Sequence, residues 1–289
     1  MKQLSLFIEL TRLKKPIGFM LLFWPCSWGL TLAFDFENDL KLYYFYLILF
    51  FLGSLFMRSA GCIVNDIFDK DFDKKVFRTK NRPIAAGKIP IKIAIFYSFC
   101  LCFLAFLVLL NFNNFTILLA LGSMPLAFTY PLMKRFTYWP QLFLGITFNY
   151  GVILGWTSIF GKIDLITITI YLGAIFWTLG YDTIYGYQDI RDDEIIGLKS
   201  TSIKFKNIAK YFLFFSYLIF ILMMILTGYL MNFNKFYYIF LLIPFFHLFF
   251  YQIKIFNIDK PDKCLLAFKS NNFFGLLIFL NFIVGKLYE

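Results

Sequence analysis

Long apolar stretches recur along the chain, and most polar or charged residues fall between them. A helix that spans a bilayer needs about 20 mostly apolar residues. Nine stretches approach that length, at roughly 16–34, 42–64, 92–110, 114–132, 139–158, 165–187, 209–231, 236–253 and 268–285. Transmembrane barrel strands would alternate in polarity over about ten residues, and these stretches do not alternate. The pattern predicts an all-α, polytopic membrane protein with nine transmembrane helices.

The amino-acid composition agrees with lipid as the main solvent. The 289 residues are 60% hydrophobic and 16% charged, whereas soluble domains carry about 25% charged residues. No stretch of domain size has the composition of a soluble protein. We therefore expect residues 1–289 to form a single membrane-embedded domain.

Basic residues indicate the orientation, because cytoplasmic loops collect lysine and arginine. With nine helices and a cytoplasmic N-terminus, 23 of the 28 basic residues lie on the cytoplasmic side and four on the other. The remaining one, Arg58, falls inside the second helix. This split predicts a multi-pass protein with its N-terminus in the cytoplasm, and we expect the membrane to be the inner membrane of a bacterium. It also explains the net charge of +11 without a nucleic-acid partner.

An acidic cluster ends the second predicted helix, on the cytoplasmic side. Asn65, Asp69 and Asp73 are spaced i, i+4, i+8, and Asp66 lies beside them. On an α-helix, residues four apart are rotated by only about 40° and separated by about 6 Å. The three spaced residues should therefore form one oxygen-rich stripe.

A second acidic cluster ends the sixth predicted helix, on the same side of the membrane. Tyr185, Asp189 and Asp193 repeat the spacing, and Asp182 precedes them. The two triplets are 120 residues apart, which suggests an internal duplication.

Oxygen atoms in this arrangement favour a magnesium site. Mg²⁺ usually takes one or two carboxylates together with the phosphate oxygens of a substrate. Two facing stripes would hold two Mg²⁺ ions, which would bridge to a diphosphate and neutralise its charge as it leaves. A solvated acidic loop is the alternative, and it is favoured for either cluster taken alone. Two stripes of matched spacing on the same side favour ligand binding.

Basic and phenolic side chains near the clusters are candidate substrate ligands. Arginine offers a planar fork to phosphate oxygens. Arg78 follows the first cluster, Lys199 follows the second, and Tyr130 and Lys134 lie at the end of the fourth predicted helix. The alternative is that these charges only set the membrane orientation, which accounts for most basic residues of the chain.

Arg58 lies inside a predicted span, two turns before Asn65. A charge within the membrane is costly and usually faces a functional interior. Arg58 would pair either with the carboxylate of a substrate or with an acidic residue of another helix. The sequence leaves both open.

The motifs together resemble the UbiA superfamily of intramembrane aromatic prenyltransferases. Two stretches are similar to its Asp-rich motifs, namely Asn65-Asp66-x-x-Asp69-x-x-x-Asp73 and Asp182-x-x-Tyr185-x-x-x-Asp189-x-x-x-Asp193. Tyr130-x-x-x-Lys134 is similar to its Tyr/Lys motif. Three further stretches resemble the 4-hydroxybenzoate polyprenyltransferase branch, namely Lys15-Pro16-Ile17-Gly18, Asn81-Arg82-Pro83 and Gly197-Leu198-Lys199-Ser200-Thr201.

This resemblance implies nine helices around a central cavity, Mg²⁺ as cofactor, and transfer of a polyprenyl group from its diphosphate to 4-hydroxybenzoate. The new bond would form meta to the carboxylate, in ubiquinone synthesis. The implied metal ligands are Asn65, Asp69, Asp73, Asp189 and Asp193. The implied catalytic residues are Asp66, Asp69, Asp73, Asp182, Asp189 and Asp193. The implied substrate ligands are Arg58, Arg78, Tyr130, Lys134, Tyr185 and Lys199.

Two groups of alternatives stay open. Within the same reaction class, the acceptor would be a naphthoate, homogentisate or haem. A transporter of an anionic metabolite also fits basic loops and an intramembrane arginine. Transporters usually place their site near the bilayer midplane, however, whereas both acidic clusters are predicted at one face.

Overall fold

Backbone groups inside a bilayer must be satisfied within the protein, which favours helices for a chain of this pattern. The computed structural model describes residues 2–37 and 39–287, and this part of the chain contains helices and no strand. Its α-helices are α1 Lys2–Leu10, α2 Ile17–Ala33, α3 Leu40–Phe68, α4 Lys70–Asp73, α5 Ile91–Leu109, α6 Asn114–Thr129, α7 Pro140–Phe148, α8 Tyr150–Phe160, α9 Leu165–Gly186, α10 Ile190–Ile195, α11 Thr201–Lys204, α12 Ala209–Leu230, α13 Lys235–Phe246, α14 Ile253–Ile255, α15 Pro261–Lys269 and α16 Asn271–Leu287. Shorter helical segments are the 3-10 helices Tyr130–Arg135 and Lys206–Ile208 and the π-helical turn His247–Gln252.

Eight runs of helix among the described residues are long and apolar enough to cross a membrane. Each overlaps one of the predicted spans from 42–64 onward. The remaining predicted span is α2, an apolar helix of 17 residues. At 1.5 Å per residue it is about 25 Å long, against a hydrocarbon core of about 30 Å. The all-α, multi-pass membrane architecture is confirmed, and the count of nine crossings stays a prediction.

Three predicted spans are interrupted helices. Span 139–158 is divided between α7 and α8 at Asn149, whose buried amide donates to Thr178 Oγ1 of α9 at 2.7 Å. Span 114–132 ends in a 3-10 helix, and span 236–253 passes from α13 into the π-helical turn. Hydropathy averages over about 20 residues and therefore does not register such local breaks.

Helices α2 and α8 cross at very close range, which glycine permits. A Cβ atom added to Gly29 would lie 2.1 Å from the carbonyl oxygen of Val152. A Cβ atom added to Gly155 would lie 2.3 Å from the carbonyl oxygen of Cys26. Between helices in lipid, close packing replaces the hydrophobic effect as the driving force, so small residues at a crossing matter. Gly29 and Gly155 therefore set the separation of these two helices.

A buried polar network joins α9, α12, the π-helical turn and α16. Asn271 Oδ1 accepts hydrogen bonds from Trp177 Nε1 and Gln252 Nε2, both at 2.9 Å. Tyr217 donates to Gln252 Oε1 at 2.7 Å. Hydrogen bonds between helices in a membrane contribute about 0.6–2 kcal/mol each. The network fixes the position of α9, whose C-terminal end carries the second acidic cluster.

The variant Gly155→Ala is expected to destabilise the fold by about 1–3 kcal/mol or more, because the added methyl group overpacks a backbone contact. Thermal unfolding of the detergent-purified protein measures this effect. Gly122→Ala is the matched control, since a Cβ atom at Gly122 meets no atom within 4 Å. Equal unfolding midpoints for the two variants would contradict the close crossing.

Candidate active site

The first acidic cluster lies where α3 passes into α4. Asn65 and Asp66 belong to the last turn of α3, Asp69 caps it, and Asp73 ends α4. The three aspartates are only 2%, 3% and 7% exposed in chain order. The amide of Asp69 bonds to the Asn65 carbonyl at 2.9 Å, and the amide of Asp73 to the Asp69 carbonyl at 2.8 Å. The helical register is therefore kept across the break.

The second acidic cluster lies at a similar break between α9 and α10. Asp189 caps α10 with φ −115° and ψ 9°, and Asp69 in the first cluster has φ −94° and ψ 4°. Both values fall in the sparsely populated bridge region, where many active-site residues are found. Neither cluster lies on one uninterrupted helix, because α3 ends before Asp69 and α9 ends before Asp189. The predicted stripe itself stays a prediction. The similarity between the two clusters therefore includes the backbone conformation at the point where the helix ends.

Two arginines hold the carboxylates on the buried side of the first cluster. Arg12 donates to Asp66 Oδ1. Arg82 Nη1 donates to Asp66 Oδ1 at 3.2 Å and to Asp73 Oδ2 at 2.8 Å. A buried carboxylate is costly unless it is paired and hydrogen-bonded. Arg12 and Arg82 meet that requirement, and the sequence motifs had assigned neither of them a role.

Arg12 carries no sequence signal that marks it as a site residue. It lies in a turn between α1 and α2 and has a left-handed backbone, with φ +56°. A non-glycine residue is uncommon in this backbone region. It persists there only where contacts with the surrounding structure hold the strained conformation in place. The ion pair with Asp66 is one such constraint.

Lys134 connects the 3-10 helix Tyr130–Arg135 to the first cluster. Its Nζ donates to Asp69 Oδ2 at 2.5 Å. The next residue, Arg135, donates to the Phe68 carbonyl at 2.8 Å, and its Nη2 lies 3.7 Å from Asp69 Oδ1. The predicted Tyr/Lys motif therefore reaches the first acidic cluster.

Arg78 connects the segment after the first cluster to the second cluster. Its Nε donates to Asp189 Oδ1 at 2.7 Å, its Nη2 donates to the other oxygen, and its Nη1 donates to the Tyr185 hydroxyl at 3.3 Å. Burial, and then the charge of Asp189, raise the pKa of Asp193 to about 6. Lys134 and Arg78 oppose this rise. Because Arg78 follows Asp73 by only five residues and bonds to Asp189, the two clusters lie together.

Lys199 differs from the other predicted phosphate ligands. Its Nζ donates to the Phe136 carbonyl at 3.2 Å, and its backbone amide donates to the Lys134 carbonyl at 2.9 Å. Lys199 thus braces the segment that carries Lys134, and the structure places its ammonium group on a main-chain oxygen.

Arg58 lies in α3 below the first cluster, on the side of the membrane interior. Its Nε is buried and has no hydrogen-bond partner among the described residues. Its guanidinium stands 5.3 Å from the centre of the Phe148 ring, which meets the Tyr130 ring edge to face at 5.9 Å. Arg58 also acts electrostatically on Asp182. Phe148 is a member of this group that the polar motifs did not reveal.

The two alternatives for Arg58 differ in whether the protein itself supplies a carboxylate. Within residues 2–37 and 39–287, no Asp or Glu lies within ion-pair distance of Arg58. Asp182 influences it only at longer range. The described residues therefore do not form the structural ion pair that was one of the two alternatives for Arg58.

Two oxygens of the first cluster fit a magnesium ion. Asn65 Oδ1 and Asp69 Oδ1 are buried and accept no hydrogen bond from any residue that the structure describes. No group of three Asp, Glu, His or Cys residues in the described chain is arranged to hold a metal alone. Mg²⁺ commonly uses one or two carboxylates and completes its shell with water and phosphate. The donors present therefore suit a cation that binds together with a phosphate ligand.

Residues 22–283 match the family model of the UbiA prenyltransferase family. The chain belongs to this family. It is 43% identical over 287 residues to the mitochondrial 4-hydroxybenzoate polyprenyltransferase of Bos taurus, covering 99% of this chain and 76% of that protein. It is 39% identical to 4-hydroxybenzoate geranyltransferase 2 of Lithospermum erythrorhizon, covering 99% and 92% of the two chains.

The fold of this UbiA family member is also shared with solved structures. One is a UbiA homolog from Archaeoglobus fulgidus bound to GPP and Mg²⁺, with a TM-score of 0.73 and 17% identity. The alignment covers 97% of this chain and 98% of that one. The predicted family and the helical membrane fold are thereby confirmed.

Arg12→Ala is expected to destabilise the protein, because it removes one of two partners from the buried Asp66 carboxylate. The free energy of unfolding should fall by less than the roughly 3–5 kcal/mol that a fully broken buried pair costs, because Arg82 still donates to Asp66. Thermal unfolding in detergent measures the change. The exposed Arg191 gives the control variant Arg191→Ala. An Arg12→Ala protein as stable as this control would rule out a stabilising role for the pair.

Proposed function

We propose that this protein transfers a polyprenyl group from its diphosphate to the carbon of 4-hydroxybenzoate that lies meta to the carboxylate. The reaction would serve ubiquinone synthesis, and residues 1–289 would form one catalytic domain. One observation carries the proposal: the acidic clusters at the ends of α3 and α9 lie together, with Lys134 bonded to Asp69 and Arg78 bonded to Asp189. Arg58, which has no ion pair among the described residues, lies toward the membrane interior. The names of the Bos taurus and Lithospermum relatives supply the acceptor.

The proposed magnesium ligands are Asn65, Asp69, Asp73, Asp189 and Asp193. When bound, Mg²⁺ neutralises the diphosphate and so stabilises it as a leaving group. Asn65 Oδ1 and Asp69 Oδ1, which are buried and accept no hydrogen bond from the described residues, support this assignment. So does the Archaeoglobus fulgidus homolog, which is bound to GPP and Mg²⁺.

Basic side chains would hold the diphosphate oxygens. Arg78 and Lys134 already bind carboxylate oxygens at 2.7 and 2.5 Å, and phosphate oxygens are equivalent acceptors for both groups. The Tyr185 hydroxyl, 3.3 Å from Arg78 Nη1, adds a donor on the same side. Lys199 would act next to them, because the hydrogen bond from its backbone amide to the Lys134 carbonyl keeps it close.

The carbon–oxygen bond of the prenyl diphosphate would break with its electron pair leaving on the diphosphate. The remaining allylic cation would be attacked by the ring carbon next to the phenol, and the ring would then lose its proton. Water would quench this cation, so exclusion of water is part of catalysis. Apolar helices surround the site on the membrane side, and Asp66 and Asp182, the first aspartates of the two clusters in sequence, would act on that side.

Arg58 would hold the carboxylate of 4-hydroxybenzoate. A guanidinium within a membrane-spanning helix that forms no ion pair with the described residues matches an anionic ligand. Tyr130 and Phe148 would then flank the aromatic ring, since Phe148 contacts both Arg58 and Tyr130.

The proposed location is the inner membrane of a bacterium, with the N-terminus and the acidic clusters on the cytoplasmic side. The distribution of basic residues supports this orientation. The Bos taurus relative is named as mitochondrial, which places that protein in a mitochondrion.

Asp69→Ala and Asp189→Ala are each expected to lower prenylation of 4-hydroxybenzoate by more than about a hundredfold. Loss of a supporting group alone typically costs 10–100-fold, and these residues are proposed as direct ligands. Membranes with Mg²⁺, 4-hydroxybenzoate and a polyprenyl diphosphate are assayed for product by mass spectrometry. The exposed Asp262 provides the control Asp262→Ala. Wild-type rates in either ligand variant would refute the metal assignment.

A panel of acceptors and diphosphates of several chain lengths distinguishes the alternatives. We expect a product with the mass of prenylated 4-hydroxybenzoate and release of diphosphate that depends on Mg²⁺. A product formed only with a naphthoate, homogentisate or haem would change the acceptor. Uptake of an anionic metabolite into proteoliposomes, without any product, would instead support the transporter.

A further inference from the structure

The stretch that begins at Gly197 connects the second acidic cluster with the 3-10 helix that carries Lys134. The backbone amide of Leu198 donates to the carbonyl of Asp193 at 2.9 Å. The next amide, that of Lys199, donates to the carbonyl of Lys134, also at 2.9 Å. Two consecutive main-chain amides therefore join a residue of the second cluster to a lysine whose side chain bonds to the first cluster.

The far end of this stretch is fixed to two helices. We call residues 197–202 the strap. The amide of Thr201 donates to Gln141 Oε1 of α7 at 3.0 Å, and its hydroxyl lies 2.6 Å from that of Thr183 in α9. Ser202 Oγ donates to the Thr183 carbonyl at 2.7 Å. Since Thr201 and Ser202 are fully buried, the strap is anchored on the helix that carries the second cluster.

Gly197 makes the turn at the start of the strap. Its φ angle is +75°, in the left-handed region. Its own amide donates to the carbonyl of Glu194 at 3.3 Å, and the amide of Leu198 reaches back to Asp193. This pair of hydrogen bonds is the Schellman motif, in which one left-handed residue closes a helix, here α10. The chain turns back at this residue, and the second amide after it meets the carbonyl of Lys134.

Only the backbone conformation calls for glycine at this position. Gly197 is exposed, and a Cβ atom added to it would lie more than 4 Å from the surrounding described residues. The left-handed conformation is unfavourable for most side chains, but asparagine tolerates it. The chain contains such a case, since Asn232 follows α12 with φ +56°. The same two hydrogen bonds form there, from Asn232 to the Tyr229 carbonyl and from Phe233 to the Gly228 carbonyl.

We propose that Gly197 is a positioning residue of the active site, which holds Lys134 in place through the strap. The inference rests on the proposed function, in which Lys134 binds the diphosphate. The strap fixes the main chain of Lys134 relative to Asp193, while Asp69 bonds its ammonium group. A diphosphate that contacts both clusters then binds without the free-energy cost of ordering this lysine.

The test is the variant Gly197→Ala, which disfavours the left-handed conformation without a steric clash. We expect the KM for the polyprenyl diphosphate to rise about tenfold, the size of effect that follows loss of a hydrogen bond to a charged group. The kcat and the KM for 4-hydroxybenzoate should stay near the wild-type values, since a loss of uniform binding raises one KM alone. Calorimetric titration with inorganic diphosphate and Mg²⁺ needs no turnover, and its Kd should rise by the same factor.

Gly161→Ala is the matched control. Gly161 ends α8 with φ +61°, is exposed, and has equally open space around its Cβ position. It precedes α9, whereas the second cluster follows the other end of this 22-residue helix, about 33 Å away. Both variants should lower the unfolding temperature by similar amounts, because both strain the backbone. Only Gly197→Ala should raise the KM and the Kd for diphosphate.

Two further variants separate positioning from general damage. Gly197→Asn should keep diphosphate binding near the wild-type level, because asparagine already forms the same motif at Asn232. A double-mutant cycle with Lys134→Met then isolates the route of the effect. If Gly197 acts through Lys134, Gly197→Ala has no further effect on diphosphate binding beside Lys134→Met.

Several results overturn the inference and leave the proposed function intact. They are an unchanged KM and Kd for diphosphate in Gly197→Ala, an equal loss in Gly161→Ala or Gly197→Asn, and an undiminished loss beside Lys134→Met. If the wild-type protein makes no prenylated 4-hydroxybenzoate, the proposed function fails, and the titration with inorganic diphosphate and Mg²⁺ decides the inference separately. Weaker binding to Gly197→Ala than to wild type still supports it, whereas equal binding, or binding to neither protein, overturns it.

Discussion

The site depends on the pairing of buried carboxylates with cations from distant segments of the chain. An ionised group taken out of water costs several kcal/mol unless a partner and hydrogen bonds compensate it. Asp66 and Asp69 are almost fully buried, so their partners have to come to them. Arg12 arrives from the turn before α2 and Lys134 from the 3-10 helix after α6. Each ion pair therefore fixes one connecting segment against the end of α3.

The same constraint brings the two acidic clusters together. Arg78 follows the first cluster in sequence but forms its hydrogen bonds with the second. Without such a link, two carboxylate-rich helix ends would repel each other in a region of low dielectric constant. The aspartates of the two clusters already neutralise the basic groups near them. Under the proposed function, a bound diphosphate would therefore bring negative charge that the protein alone cannot balance. That imbalance is the physical reason for a divalent cation.

Much of the fold follows from the sequence, because apolar stretches of about 20 residues have few ways to satisfy their backbone in lipid. The bounds of α3, α5, α9 and α12 lie within a few residues of the predicted ones. The break at Asn149 was not predicted, because it depends on a hydrogen bond to Thr178 on another helix. The crossing of α2 and α8 was missed for the same reason, since it depends on two helices that are distant in sequence.

The acidic clusters were found because their spacing is local and repeats. Lys134 was predicted because it belongs to the Tyr/Lys motif, and Arg78 because it follows the first cluster closely in sequence. Arg12 was missed because it is 54 residues from Asp66, and no spacing rule links a turn to the end of another helix. Phe148 was missed because it is one of 42 phenylalanines, and only its contact with Arg58 distinguishes it.

Arg12 and Arg58 show how partners separate a structural charge from a functional one. Both are arginines near the first cluster, and burial penalises both. Arg12 bonds to Asp66, so its charge is compensated by the fold. Among the described residues, Arg58 has a buried donor without a hydrogen-bond partner and no carboxylate within ion-pair distance. Its contact with the Phe148 ring compensates a few kcal/mol at most. A membrane protein that keeps such an arginine bears a cost which a carboxylate ligand would remove, and that difference in free energy would contribute to the binding of the acceptor.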